Sequence, residues 1–161
     1  MSMESELQSQ FMDRFAIREQ IDLYIDLLNH RDWPRYEKTM TEDFEWTASA
    51  PVNQRISSRK AMMEMVTTVQ QYQFGFVFQM GHGVVIDEIK NGRAKSHHTL
   101  HIVSDHFCYM GIYYDELRKE ADGVWRFNRR DFQITYFDDQ PLPGKMFRVL
   151  PDPSYKELPR A

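Results

Sequence analysis

The sequence predicts an α+β fold in which helices come first and a meander of antiparallel strands follows. Three observations carry this. Apolar residues near the start recur at three- and four-residue steps, the spacing of one helix face. From Met80 onward the apolar spacing falls to two, as in strands with one buried face. Asn91-Gly92 and Asp122-Gly123 then punctuate the alternating runs as tight hairpin turns do. The helices should therefore pack on one side of a curved, mainly antiparallel sheet.

Residues 11–31 form the first helix, with Phe15, Ile17, Ile21, Tyr24, Ile25, Leu27 and Leu28 on its apolar stripe. Asn29-His30-Arg31-Asp32-Trp33-Pro34 ends it, and Asp32 is placed to cap a short second helix running to about Met40. Phe44, Trp46 and Ala48 alternate with Glu45 and Thr47, which is a strand, and Pro51 closes it. Ser58 opens a third helix that continues through Val69 on the stripe Ala61, Met62, Met65, Val66. In the strands that follow, His82, Val84 and Ile86 share one face. Ala94, Ser96, His98, Leu100 and Ile102 share a face on the partner, with His97 and His101 on the other side. Residues 109–117 and 124–137 complete the meander. Five prolines among residues 141–161 exclude a helix there, so this segment reads as a strap over a pocket mouth or a neighbouring subunit.

At 161 residues the chain fits one domain, with a core at about 11–137. A net charge of −4 with Lys and Arg scattered along the chain argues against a nucleic-acid partner. No apolar run reaches the roughly 20 residues of a membrane helix. The acidic start Met1-Ser2-Met3-Glu4-Ser5-Glu6 is unlike a secretory signal, so a cytoplasmic location is expected. Cys108 stands alone and reads as a buried thiol. His97, His98, His101 and His106 are dense, but strand alternation splits them between faces, so no metal site is expected. Neither a Gly-rich dinucleotide loop nor a phosphate loop occurs, and no cofactor is expected. Eleven Phe, eight Tyr, three Trp and ten Met suit either an aromatic core or a pocket for flat apolar ligands.

Several motifs fall in a fixed order: the helix with Tyr24, Asn29-His30-Arg31-Asp32-Trp33, Thr41-Glu42-Asp43-Phe44, Met80-Gly81-His82, Gly111-Ile112-Tyr113-Tyr114-Asp115 and Asp122-Gly123-Val124-Trp125. Over residues 11–137 the chain resembles the SnoaL-like branch of the nuclear transport factor 2 superfamily, and within it scytalone dehydratase and the bile acid 7α-dehydratases. The resemblance implies a cone-shaped α+β barrel around a buried pocket. It also implies His82 as the base and Tyr24 as the group that polarises the substrate oxygen. At the position of the aspartate that holds the histidine in those enzymes, this chain has Asn29, which can orient an imidazole but adds no charge.

From pattern alone, His82 is either a hydrogen-bonded core histidine or a base, and His98 either a satisfied strand histidine or a second acid or base. Trp46 and Phe44 should line the pocket, with Leu100 and with Tyr113 or Tyr114 from neighbouring strands. Asp115 with Arg129 or Arg130 reads as a cross-strand ion pair. Three functions fit: a cofactor-independent lyase or isomerase acting on a small hydroxylated aromatic, polyketide-like or steroid-like compound; a binding module without chemistry; or the small subunit of a ring-hydroxylating dioxygenase. Val85, His97, Thr99, His101 and Val103 on the convex face suggest a homodimer or higher oligomer.

Overall fold

The computed structural model describes residues 3–68 and 77–140. The expected strap at 141–161, the end of the third helix at Val69 and most of the following connection lie outside the described residues. Helix α1 spans Met3–His30, α2 Trp33–Tyr36 and α3 Arg59–Met65. The strands are β1 Met40–Ala48, β2 Gln54–Ile56, β3 Val77–Lys90, β4 Arg93–Ser104, β5 Cys108–Lys119 and β6 Trp125–Asp138. They form one curved, unclosed sheet in the order β2-β1-β6-β5-β4-β3. The meander from β3 to β6 is antiparallel, and β1 joins β6 in parallel.

Helix α1 starts eight residues before the expected boundary, and its two halves differ. Ile17, Ile21, Tyr24, Leu27 and Leu28 are buried against the sheet, whereas Leu7, Phe11, Met12 and Phe15 are exposed. Phe15 is therefore not part of the buried stripe. Asp32 makes no side-chain cap of α2; its carboxylate instead accepts from Arg35 at 3.3 Å, and the helix tightens into a 3₁₀ turn over Glu37–Thr39. Ser58 does cap α3, its hydroxyl accepting from the Ala61 amide at 3.0 Å. Asn91 (φ 51°) and Gly92 (φ 69°) both occupy the left-handed region, as the two-residue hairpin between β3 and β4 requires.

Strand β3 is an edge, and an edge leaves one row of amide and carbonyl groups unpaired. Helix α1 covers this one with side chains. Arg18 Nη2 donates to the Val84 carbonyl at 2.6 Å. Asn29 Nδ2 donates to the Gln79 carbonyl and Asn29 Oδ1 accepts from the Gln79 amide, both at 2.8 Å. The helix is thus fixed along the strand that forms one wall of the interior.

Candidate ligand-binding site

Between α1, α3 and the concave sheet face lies a cavity of about 230 Å³. Its walls include Tyr24 and Leu28 of α1, Trp46 and Ala48 of β1, and Met62 and Met65 of α3. The meander contributes Val77 and Gln79 of β3, Ile102 of β4, Tyr109 and Tyr113 of β5, and Phe132 and Ile134 of β6. Among the described residues no Asp, Glu, His, Lys or Arg lines it. The polar groups on its wall are phenols, one indole and the carboxamides of Gln54 and Gln79.

Trp46 Nε1 donates to the Tyr113 hydroxyl at 2.9 Å. That oxygen is used as an acceptor, which leaves its proton to donate. Burial raises the Tyr113 phenol well above its ordinary range, the nearby Tyr24 adding to the effect, so it stays protonated. Tyr24 lines the cavity with its ring while its hydroxyl accepts from Tyr36, and burial raises its pKa as well. Both phenol oxygens accept, each keeps its proton, and both are poor bases.

His82 does not enter the cavity. It is exposed on the outer sheet face, where its ring meets that of His101 edge to face at 5.5 Å. The cause is a bulge at Gly83 (φ +63°), where the β3–β4 register shifts between His82 and Val85. Gln79 and Gly81 lie opposite Ile102 and Leu100, and Ile86 lies opposite Ser96. Inward positions are therefore odd before the bulge and even from it to Ile86; a second shift between Ile86 and Glu88 then sets Ile89 opposite the inward Ala94. The expected shared face of His82, Val84 and Ile86 is broken at Gly83, and His82 lies outward. Gln79 takes the interior place instead, and Asn29 holds its main chain rather than an imidazole. The signal available in the sequence was the glycine inside an alternating run.

The remaining expected residues divide. Trp46, Tyr24 and Tyr113 line the cavity. Tyr114 points outward, 48% exposed beside His97. Phe44 and Leu100 are fully buried in the core and do not line the cavity. His98 faces inward with Ala94, Ser96, Leu100 and Ile102 as expected, but it lies behind the wall, its ring stacked on Tyr113 at 5.6 Å.

Behind Tyr113, three titratable groups with no exposure meet. Arg130 grips Asp115 with two bonds, Nε to Oδ1 at 2.8 Å and Nη2 to Oδ2 at 3.1 Å. Its Nη2 also lies 3.3 Å from His98 Nε2. A guanidinium only donates, so Nε2 is the acceptor and His98 Nδ1 carries the proton; Nδ1 lies 3.3 Å from Asp115 Oδ2 without the alignment of a hydrogen bond. The rings of Tyr24, Tyr113 and Phe127 surround the guanidinium carbon at 4.1–4.2 Å. Burial pushes the Asp115 carboxyl up, but Arg130 and His98 outweigh it and hold the group below the usual carboxylate range. The expected ion pair of Asp115 is thus the one with Arg130, and it is buried. Arg129 pairs instead with Asp131 at 2.9 Å.

The sequence profile of the SnoaL-like domain matches residues 9–131. No curated protein sequence matches the chain. Among solved structures, the chain is similar to a candidate scytalone dehydratase from Novosphingobium aromaticivorans at 16% identity and a TM-score of 0.72, over 87% of this chain and 99% of that one. It is similar to a hexachlorocyclohexane dehydrochlorinase, LinA type 3, from Novosphingobium barchaimii at 17% identity and a TM-score of 0.73, over 87% and 97%. The beta subunit of a candidate aromatic-ring-hydroxylating dioxygenase from Novosphingobium aromaticivorans matches at 12% identity and a TM-score of 0.65, over 80% and 92%. At these identities the structures share the fold.

Proposed function

The chain belongs to the SnoaL-like domain family, and from that premise we propose that it is a binding domain for a small, uncharged molecule of one or two rings, held in the cavity between α1, α3 and the sheet. The single observation that carries this reading is the chemistry of the wall: apolar and aromatic side chains with a few neutral polar groups and, among the described residues, no carboxylate, imidazole or cation. A charged ligand would be desolvated there without a partner. The cavity's size agrees with this chemistry. A cavity of about 230 Å³ exceeds the roughly 150 Å³ that holds benzene and falls short of the roughly 300–1,000 Å³ of drug-sized sites. One or two rings fit that interval better than the four of a steroid.

A lyase or isomerase is the second reading, favoured by the similarity to dehydratase and dehydrochlorinase structures. Proton abstraction needs a base within hydrogen-bond reach of the substrate. His82 is on the outer face, and His98 is fully buried behind Tyr113 with its Nε2 taken by Arg130, outside the cavity. Tyr113 could polarise a ligand oxygen, but no described side chain on the wall complements it as a base.

The test is thermal denaturation with naphthalene at increasing concentration, followed by chromatography of the recovered compound. A ligand that binds only the folded chain raises Tm by mass action. The expected outcome is a saturable rise, lost in Ala48→Trp, with 2-naphthol also recovered unchanged. An unchanged Tm in the wild-type chain overturns the binding reading. A new product that forms only with the protein present moves the assignment to the lyase.

A further inference from the structure

The cavity wall holds one polar side chain whose surroundings are incomplete. Gln79 is 7% exposed. Its main chain is fully engaged, clamped by Asn29 on one side and in register with Ile102 on the other. Its carboxamide Oε1 is buried and has no hydrogen-bond partner among the described residues. Buried carboxamides are ordinarily bonded, because an amide oxygen taken out of water without a donor is destabilising. The group is also held in place: the two-way Asn29 clamp removes the backbone freedom by which the strand could shift the amide toward a partner.

From this juxtaposition we infer that Gln79 is the polar anchor of the pocket and selects, among small ring compounds, those that carry a hydroxyl or N–H group able to donate to its side-chain oxygen. The inference rests on the binding reading above and names the ligand class that reading leaves open. The Trp46–Tyr113 pair gives a complementary contact. Tyr113 has a proton to donate, so a hydroxylated ring could accept from Tyr113 while donating to Gln79. The rest of the wall supplies apolar contact, which holds a ring but does not distinguish a hydroxylated one from a bare one. Asn29 acts as a positioning residue. Its side-chain amide donates to the Gln79 carbonyl and its oxygen accepts from the Gln79 amide, and an aspartate could do only the second.

The experiment compares 2-naphthol, 2-methoxynaphthalene and naphthalene by titration calorimetry against the wild-type chain and Gln79→Met, which keeps length and removes the amide. A satisfied buried acceptor against an unsatisfied one corresponds to roughly ten-fold in affinity. The wild-type chain is expected to bind 2-naphthol about ten-fold tighter than naphthalene, and 2-methoxynaphthalene, which cannot donate, no tighter than naphthalene. In Gln79→Met the preference for 2-naphthol over naphthalene should shrink to about two-fold or less, with circular dichroism and the thermal transition reporting that the variant is folded. Equal binding of all three compounds to the wild-type chain overturns the role of Gln79 and leaves the pocket standing. A preference that survives in Gln79→Met, or 2-methoxynaphthalene matching 2-naphthol, also overturns it. If none of the three binds the wild-type chain, the pocket reading falls and the anchor with it. The wild-type comparison of the three compounds needs no variant, so a Gln79→Met chain that failed to fold would still leave the inference exposed to refutation.

Discussion

On one side of the Tyr113 ring lie His98, Asp115 and Arg130, all without exposure and joined to one another by charge and hydrogen bonds. On the other side lies the cavity, where no described side chain is charged and the Gln79 oxygen is unpaired. The same strands build both regions. The side that holds the titratable groups has them turned toward each other, and the side that could hold a ligand has almost none. The contrast teaches that buried ionisable residues need not mark the site of action. Ion-pair clusters of this kind hold a core in one arrangement even though His98 Nδ1 and Arg130 Nη1 have no hydrogen-bond partner, and open space lined by neutral groups is the better pointer to a ligand.

Breaking the charged side should have the largest effect. Arg130→Met strands the Asp115 carboxylate without its bidentate partner, and removal of one member of a buried pair costs about 3–5 kcal/mol. Urea denaturation checks it; a loss below about 1 kcal/mol would show that the cluster is not held by charge. Adding Asp115→Leu to Arg130→Met should restore part of the loss, since the apolar replacement strands nothing.

Acid probes the same pair without mutation. The folded carboxyl of Asp115 lies below its ordinary value of 3.8. Its charged form therefore stabilises the fold at pH values above 3.8, and the contribution is lost as the pH falls through the folded value. The urea midpoint of the wild-type chain should drop more steeply below about pH 4 than that of the Asp115→Leu, Arg130→Met double variant. Parallel curves would contradict the assignment.

Changes on the cavity side should be smaller. Tyr113→Phe leaves the Trp46 indole without its acceptor, a cost of about 1–3 kcal/mol. Asn29→Asp loses the bond to the Gln79 carbonyl and sets a carboxylate oxygen against it, again costing about 1–3 kcal/mol. Because Gln79 is then less firmly held, the same variant should also lower the preference for 2-naphthol. Retained stability together with retained preference would mean that the clamp is idle.

The smallest effect belongs to His82→Ala. An exposed residue away from the cavity should change stability by no more than about 0.5 kcal/mol and leave naphthalene affinity unaltered. A marked loss of either would reinstate His82 as a site residue.

The sequence determined the parts of this molecule that depend on local spacing. The helical stripe from Ile17 to Leu28, the inward face of β4 with His98 on it, the Asn91-Gly92 turn and the Ser58 cap all follow from periodicity or from one residue's conformational preference. The family resemblance likewise needed only ordered motifs. What required the tertiary structure was anything that depends on register across strands or on which partner a side chain meets. The bulge at Gly83 reverses which residues of β3 face inward, and so replaces His82 with Gln79 in the interior. The choice between Tyr113 and Tyr114, the pairing of Asp115 with Arg130 rather than Arg129, and the use of Asn29 to cover the main chain of an edge strand are of the same kind. Alternation along a strand has a period of two, so one inserted residue inverts every assignment beyond it, and local sequence does not contain the count of residues on the opposite strand.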